Sequence, residues 1–173
     1  QKVMLAGSAH GSSATAANKT PKRTYTVRSA PRKAASRPAR SSYTVAKNRK
    51  SKFSWPVRGA IVSKFGTIGK GRANDGINIK AARGTAVKAA DAGTVAYAGN
   101  ELKGFGNLIL VRHNDGWITA YAHNDRLLVK KGQKVRRGEK IATVGATGGV
   151  NSPQLHFEIR AGKKAVNPVA YLP

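Results

Sequence analysis

Two short segments hold most of the side chains that could do chemistry. Asn74-Asp75-Gly76-Ile77-Asn78 sets two amides four residues apart around a glycine, and a glycine-rich loop from Gly66 to Gly71 runs into it. Much later, Gln154-Leu155-His156-Phe157-Glu158-Ile159-Arg160 alternates polar and apolar residues. Side chains alternate across a strand, so Gln154, His156 and Glu158 share one face and Leu155, Phe157 and Ile159 the other. A third candidate, His123, lies in Tyr121-Ala122-His123-Asn124. A catalytic zinc needs about three protein ligands plus a water. An amide oxygen is neutral and a poor zinc donor beside imidazole or carboxylate. A glutamine cannot take up a proton near neutral pH, so Gln154 is no general base. Residues of these types make and accept hydrogen bonds; they do not by themselves assemble a hydrolytic centre.

The elements that must position them are short β-rich runs between turn signals, at 60–65, 76–80, 85–89, 94–98, 108–112, 117–122, 140–144 and 156–160. Spacing of this kind, with Gly, Asn and Asp between the runs, predicts an all-β domain. Asp115-Gly116 predicts a tight hairpin turn, because glycine supplies the positive φ that such a turn needs. No long window has a helical apolar period.

Charge is uneven. Residues 1–52 hold 13 Lys or Arg and no acid, whereas residues 53–173 hold 19 Lys or Arg against 7 Asp or Glu, a balance of +12 within a total of +25. The first segment is rich in Ala, Ser, Pro, Lys and Arg and cannot bury enough apolar area to offset backbone ordering, so it is expected to be a disordered basic linker. Tyr-Thr-Val occurs at 25–27 and again at 43–45. It resembles the opening of a LysM module, but the Gly-Asp-Thr-Leu that should follow is missing, and chance recurrence in a biased tail accounts for it. There is no cysteine, hence no disulfide, Cys-based zinc site or lipidated cysteine. The chain opens on Gln1 without a visible signal peptide, as expected of a processed or partial chain with any export signal or anchor upstream.

The order of several runs carries a family resemblance: Asp91-Ala92-Gly93-Thr94-Val95, Tyr97-Ala98-Gly99-Asn100, Gly104-Phe105-Gly106-Asn107, Tyr121-Ala122-His123-Asn124, Gly138-Glu139-Lys140-Ile141-Ala142, Leu155-His156-Phe157-Glu158 and Asn167-Pro168. Over 53–173 the chain resembles the LytM-type (lysostaphin-like) zinc endopeptidases, and within them the degenerate NlpD/EnvC-like amidase-activator branch. That implies an antiparallel β-sheet of barrel-sandwich hybrid type. The run 129–142 also resembles half of a biotinyl or lipoyl carrier, but no modifiable lysine at a hairpin tip accompanies it. In the peptidase family the first motif reads His-x-Gly-x-Asp and the last His-x-His. At those positions this chain has Asn74, Asn78, Gln154 and His156, so only the last histidine keeps its identity. His123 matches a histidine that acts beside the metal in active members.

The resemblance therefore implies a protein with no cofactor, no metal and no catalysis. Asn74, Asn78, His123, Gln154 and His156 are expected to floor a groove that binds a partner. The implied partner is a periplasmic N-acetylmuramoyl-L-alanine amidase, activated during septal peptidoglycan splitting. Peptidoglycan or an anionic envelope surface is a further partner for the basic tail. The implied location is the periplasm or cell envelope, with outer-membrane association through upstream sequence. Two alternatives are a zinc endopeptidase with a non-standard set such as His156, His123 and Glu158, and a nucleic-acid binder. The basic tail lacks interleaved aromatics or a known module, so no nucleic acid is expected. Asp75 is expected to point away from Asn74's side, and Glu158 to lie roughly 7 Å from His156 along the strand. His113 and His10, outside every motif, are expected to be surface or structural histidines.

Overall fold

The computed structural model describes residues 53–173. The expected linker at 1–52, with its Tyr-Thr-Val echo and His10, lies outside the described residues. Within 53–173 the strands are β1 (Ile61–Ser63), β2 (Gly66–Thr67), β3 (Ala73–Asn74), β4 (Ile77–Lys80), β5 (Ala86–Lys88), β6 (Gly93–Gly99), β7 (Asn107–Arg112), β8 (Trp117–Leu127), β9 (Lys134–Val135), β10 (Lys140–Val144), β11 (Gln154–Ala161) and β12 (Lys164–Val166), followed by a 3-10 turn at Pro168–Ala170. The main sheet runs β1-β4-β11-β8-β7-β6-β9, all antiparallel, with β12 on β11 and β10 bridging β8 to β5. β2 and β3 form a separate two-stranded hairpin. The expected all-β antiparallel fold is what the chain adopts.

The sheet is organised by which face each run buries. Leu155, Phe157 and Ile159 of β11, Ile77 and Ile79 of β4, and Tyr121 of β8 are fully buried in one core with Trp117, Val87, Val95 and Ile141. The opposite face of β11 and β8 carries His156 and Glu158 beside Ala122 and Ala120, their direct cross-strand partners. The expected Asp-Gly turn closes β7 onto β8: Gly116 has φ +81°, and its N–H donates to the His113 carbonyl at 3.1 Å.

His113 is 2% exposed, so it is a structural and not a surface histidine. Its Nδ1 lies 2.7 Å from the Ala92 carbonyl and must donate there. Its Nε2 then accepts from Thr119 Oγ1 at 3.0 Å. Thr119 in turn takes a hydrogen bond from Tyr121 Oη at 2.9 Å, and Tyr121 Oη accepts from the Ala90 N–H at 2.8 Å. Burial pushes the Tyr121 hydroxyl up to about 12, so it keeps the proton that this chain of bonds requires.

β8 is longer than the 117–122 run expected, and it contains an irregularity. Tyr121 faces Ile109 and Asn124 faces Asn107, so Ala122 and His123 together oppose the single residue Leu108. That is a β-bulge, which re-aims one side chain of an otherwise alternating strand. His123 takes φ +64° at this point. Strict alternation would send it to the core side with Tyr121; the bulge turns it toward the face that carries His156.

Candidate functional site

Antiparallel pairing of β4 with β11 sets His156 directly opposite Asn78, and Gln154 opposite Lys80. Asn74 ends β3, two residues before β4. The structure brings all five expected residues together. Asn74 Nδ2 donates to Asn78 Oδ1 at 3.1 Å and to Ser63 Oγ at 2.9 Å. Asn78 Nδ2 donates to Gln154 Oε1 at 2.8 Å, and His156 Nδ1 lies 3.0 Å from Asn78 Oδ1. The His123 and His156 rings meet edge to face with centroids 6.0 Å apart.

The orientation of each amide is determined. The Gly76 N–H can only donate, and it reaches Asn74 Oδ1 at 3.0 Å. The Ser152 carbonyl can only accept, and Gln154 Nε2 reaches it at 3.3 Å. Between these two backbone anchors the donors and acceptors must run in one direction: Gly76 N–H to Asn74, Asn74 to Asn78, Asn78 to Gln154, Gln154 to Ser152. We refer to this run as an amide ladder. It turns the Asn74 NH2 group, and not its oxygen, toward Asn78 and His156.

The ladder also answers whether these residues fit zinc. Ligand atoms about 2.1 Å from a tetrahedral zinc sit roughly 3.3 Å from one another. Asn74 Nδ2, Asn78 Oδ1 and His156 Nδ1 converge at such distances, 3.1 and 3.0 Å, but hydrogen bonds close the space between them. A cation there would meet the NH2 of Asn74 instead of a lone pair. Both ring nitrogens of His156 are also engaged, because Nε2 lies 3.0 Å from Glu158 Oε1. The donor set does not fit the metal. Among the described residues, no group of three or more His, Cys, Asp or Glu is placed to hold an ion.

The contact between Glu158 and His156 corrects the expected separation of roughly 7 Å. That figure is a backbone spacing, and the two long side chains on one strand face lean together to close it. Arg160 Nη1 then meets Glu158 Oε2 at 2.6 Å and Asp75 Oδ2 at 3.8 Å. Asp75 is accordingly an exposed rim residue away from the ladder, as expected. Burial alone raises the Glu158 carboxyl, but hydrogen bonds from His156 and Arg160 outweigh it and hold the group below the ordinary carboxylate range.

His123 Nδ1 lies 2.8 Å from the Thr147 carbonyl and donates to it, which leaves Nε2 as the acceptor of the neutral ring. Burial pushes this imidazole down; the bond to Thr147 opposes the shift, and the neighbouring His156 adds to it. Three rim residues were not read from the sequence as part of the site. Ser63 receives Asn74, Thr147 holds His123, and the Phe105 ring stands 6.1 Å from His156 while remaining 36% exposed. An aromatic residue between Gly104 and Gly106 was the available signal for the last. Thr147 also lines an adjoining cavity of about 550 Å3 with Leu102, Lys103 and Asn107.

The sign of the acid response follows from these shifts. His123 titrates lower when folded than its ordinary 6.5, so the unfolded chain binds more protons between the two values. Stability is then intact above about pH 6.5 and falls as pH drops through the folded value. Glu158 adds a second loss at lower pH, because its stabilising charge disappears as pH falls from 4.5 through its depressed value. Thermal midpoints measured from pH 8 to 2 should fall along both limbs, and His123→Gln should flatten the upper limb only.

The profile of Peptidase family M23 matches residues 72–168, the span that holds all five floor residues. The chain belongs to peptidase family M23. This M23 domain is 54% identical over 130 residues to "Cell division protein DipM" of Caulobacter vibrioides, covering 72% of this chain and 21% of DipM. It is 50% identical over 123 residues to "Murein hydrolase activator NlpD" of Escherichia coli, covering 71% of this chain and 32% of NlpD. The chain thus spans about a fifth to a third of the length of these relatives. Among solved structures, the M23 domain superposes on a zinc-containing peptidase from Vibrio cholerae with a TM-score of 0.63 and 34% identity, over 70% of this chain and 41% of that one.

Proposed function

We propose that this M23 domain is a non-catalytic regulator of cell-wall cleavage. It binds a periplasmic N-acetylmuramoyl-L-alanine amidase in the groove floored by Asn74, Asn78, His123, Gln154 and His156, and it activates that enzyme during septal peptidoglycan splitting. The observation that carries the reading is the amide ladder, which presents N–H groups where a hydrolytic metal would need lone pairs. The names of NlpD and DipM, an activator of murein hydrolases and a division protein, point the same way and favour a location in the periplasm or cell envelope.

The exposed Phe105 ring stands 6.1 Å from His156 beside these amides and imidazoles, and an apolar residue at the edge of a polar site suits one face of a partner segment. Activation follows if the domain prefers the open amidase. A preference of about 100-fold, roughly 2.7 kcal/mol, raises an open population of about 1% to about half. The test adds purified protein to a purified cognate amidase on isolated sacculi and measures released glycan. Release should rise, and Phe105→Ala should cut the effect about tenfold, as for an interface anchor. No rise in release would overturn the proposal. So would one bound zinc per chain with cross-links cut in the absence of amidase.

A further inference from the structure

β9 lies at the end of the sheet away from the groove, paired only with β6. β7 and β6 separate it from β8, so it stands roughly 14 Å from that strand at ~4.8 Å per step. Around this edge are two concavities that share Thr94. One, of about 890 Å3, is lined by Lys134, Arg136, Arg137 and Asn114; the other, of about 320 Å3, by Lys131 and Arg112. All five cations are exposed. Against them stand two carboxylates. Asp91 pairs with Arg137 Nε at 2.9 Å, and Glu139 Oε2 accepts the Arg136 N–H at 2.8 Å. Leaving Arg112 aside, Lys131, Lys134, Arg136 and Arg137 exceed these two carboxylates by two positive charges.

The platform is well fastened. The Gly132 N–H donates to the Val95 carbonyl at 2.7 Å and the Gly138 N–H to the Ala89 carbonyl at 2.8 Å, so both turns that flank β9 are tied to the body of the domain. A charged edge strand also guards against strand-to-strand aggregation, but charges of either sign serve that purpose. Charges of one sign gathered around a recess repel one another and raise the cost of the fold. What such a cluster favours is an anion, and arginine's planar fork matches the paired oxygens of a carboxylate or a phosphate. The Asp91 carboxylate already seated on the Arg137 guanidinium shows that this edge accommodates that group. A recess suits discrete carboxylates on a flexible chain better than the plane of a bilayer.

We infer that the β6–β9 edge is a second binding face of this domain, separate from the groove, and that it takes carboxylate-bearing peptidoglycan. The choice of peptidoglycan as the carboxylate source rests on the cell-wall reading above. The face holds the domain on the wall polymer while the groove stays open to its protein partner.

The experiment uses the full chain, whose basic residues 1–52 are themselves expected to attract sacculi, so it must resolve position. Lysine acetylation is followed by mass spectrometry with and without saturating sacculi in about 0.15 M salt. Lys131 and Lys134 should be protected several-fold relative to Lys163 and Lys164 at the β11–β12 turn. Combined Lys131→Ala, Lys134→Ala and Arg136→Ala should weaken cosedimentation with sacculi about tenfold, the sum expected of three surface pairs, with an unchanged thermal midpoint. Equal protection across the domain, or the same affinity in the triple variant, overturns the inference. Protection by anionic phospholipid vesicles and not by sacculi overturns it as well. None of these readouts contains an amidase, so failure here is distinct from failure of the activator proposal. Conversely, a triple variant that still activates amidase in solution but binds sacculi about tenfold more weakly separates the two faces directly.

Discussion

A chain carrying Asn74→His, Asn78→Asp and Gln154→His together should bind about one zinc ion. The parent chain, purified identically without chelator, should bind none. The three changes introduce His-x-Gly-x-Asp and His-x-His on a backbone that already brings Asn74, Gln154 and His156 each within 3.1 Å of Asn78. His156 supplies the one imidazole already in place. Micromolar affinity or better corresponds to about 8 kcal/mol, which is within reach of three ligands on a preformed frame. Zinc content by elemental analysis reads the result. Stoichiometric zinc in the parent would defeat the argument from amide orientation, and a triple variant without zinc would show that the frame itself has drifted.

The second large effect concerns Gly76. A Cβ at this position would lie 2.2 Å from the Phe157 carbonyl oxygen and 3.0 Å from the Glu158 side chain. Backbone cannot yield as a side-chain tip can, so β4 and β11 would have to part. Gly76→Ala should cost about 3 kcal/mol, at the upper end for overpacking. It should also shift the N–H that sets Asn74. Gly84 provides the contrast. It has φ +86° but open space where a Cβ would sit. Gly84→Ala should cost only the conformational term, about 1 kcal/mol. Urea unfolding of both variants measures the difference; equal costs would show that the close approach at Gly76 is not tight.

Much of the fold was legible because it rests on alternation. Leu155, Phe157 and Ile159 went to the core and His156 and Glu158 to the other face, as a period of two requires. Each of the eight expected runs contains a strand. The strands that were not read, β2, β3, β9 and β12, are two or three residues long, too short for any periodicity to register. That Asn74, Asn78, His123, Gln154 and His156 would cluster was legible too, through their places in the motifs. Their geometry was not. The bulge that swings His123 round depends on a register mismatch with β7, a relation between two segments and not a property of either. The approach of Glu158 to His156 depends on side-chain reach, which backbone spacing underestimates. The direction of the amide ladder is set by a backbone N–H and a backbone carbonyl that no residue type announces.

That direction has an evolutionary consequence. Each amide faces a partner of set polarity, so the zinc motif of the family is not reached from this chain by single substitutions without loss. Asn78→Asp alone sets a carboxylate oxygen against Gln154 Oε1 where an N–H now stands. Asn74→His alone removes the oxygen that receives the Gly76 N–H. Each of these two steps costs stability on its own, before a full ligand set is assembled. A return to the family's zinc motif is therefore opposed by hydrogen bonding at two of its positions, each of which would have to change together with its partner.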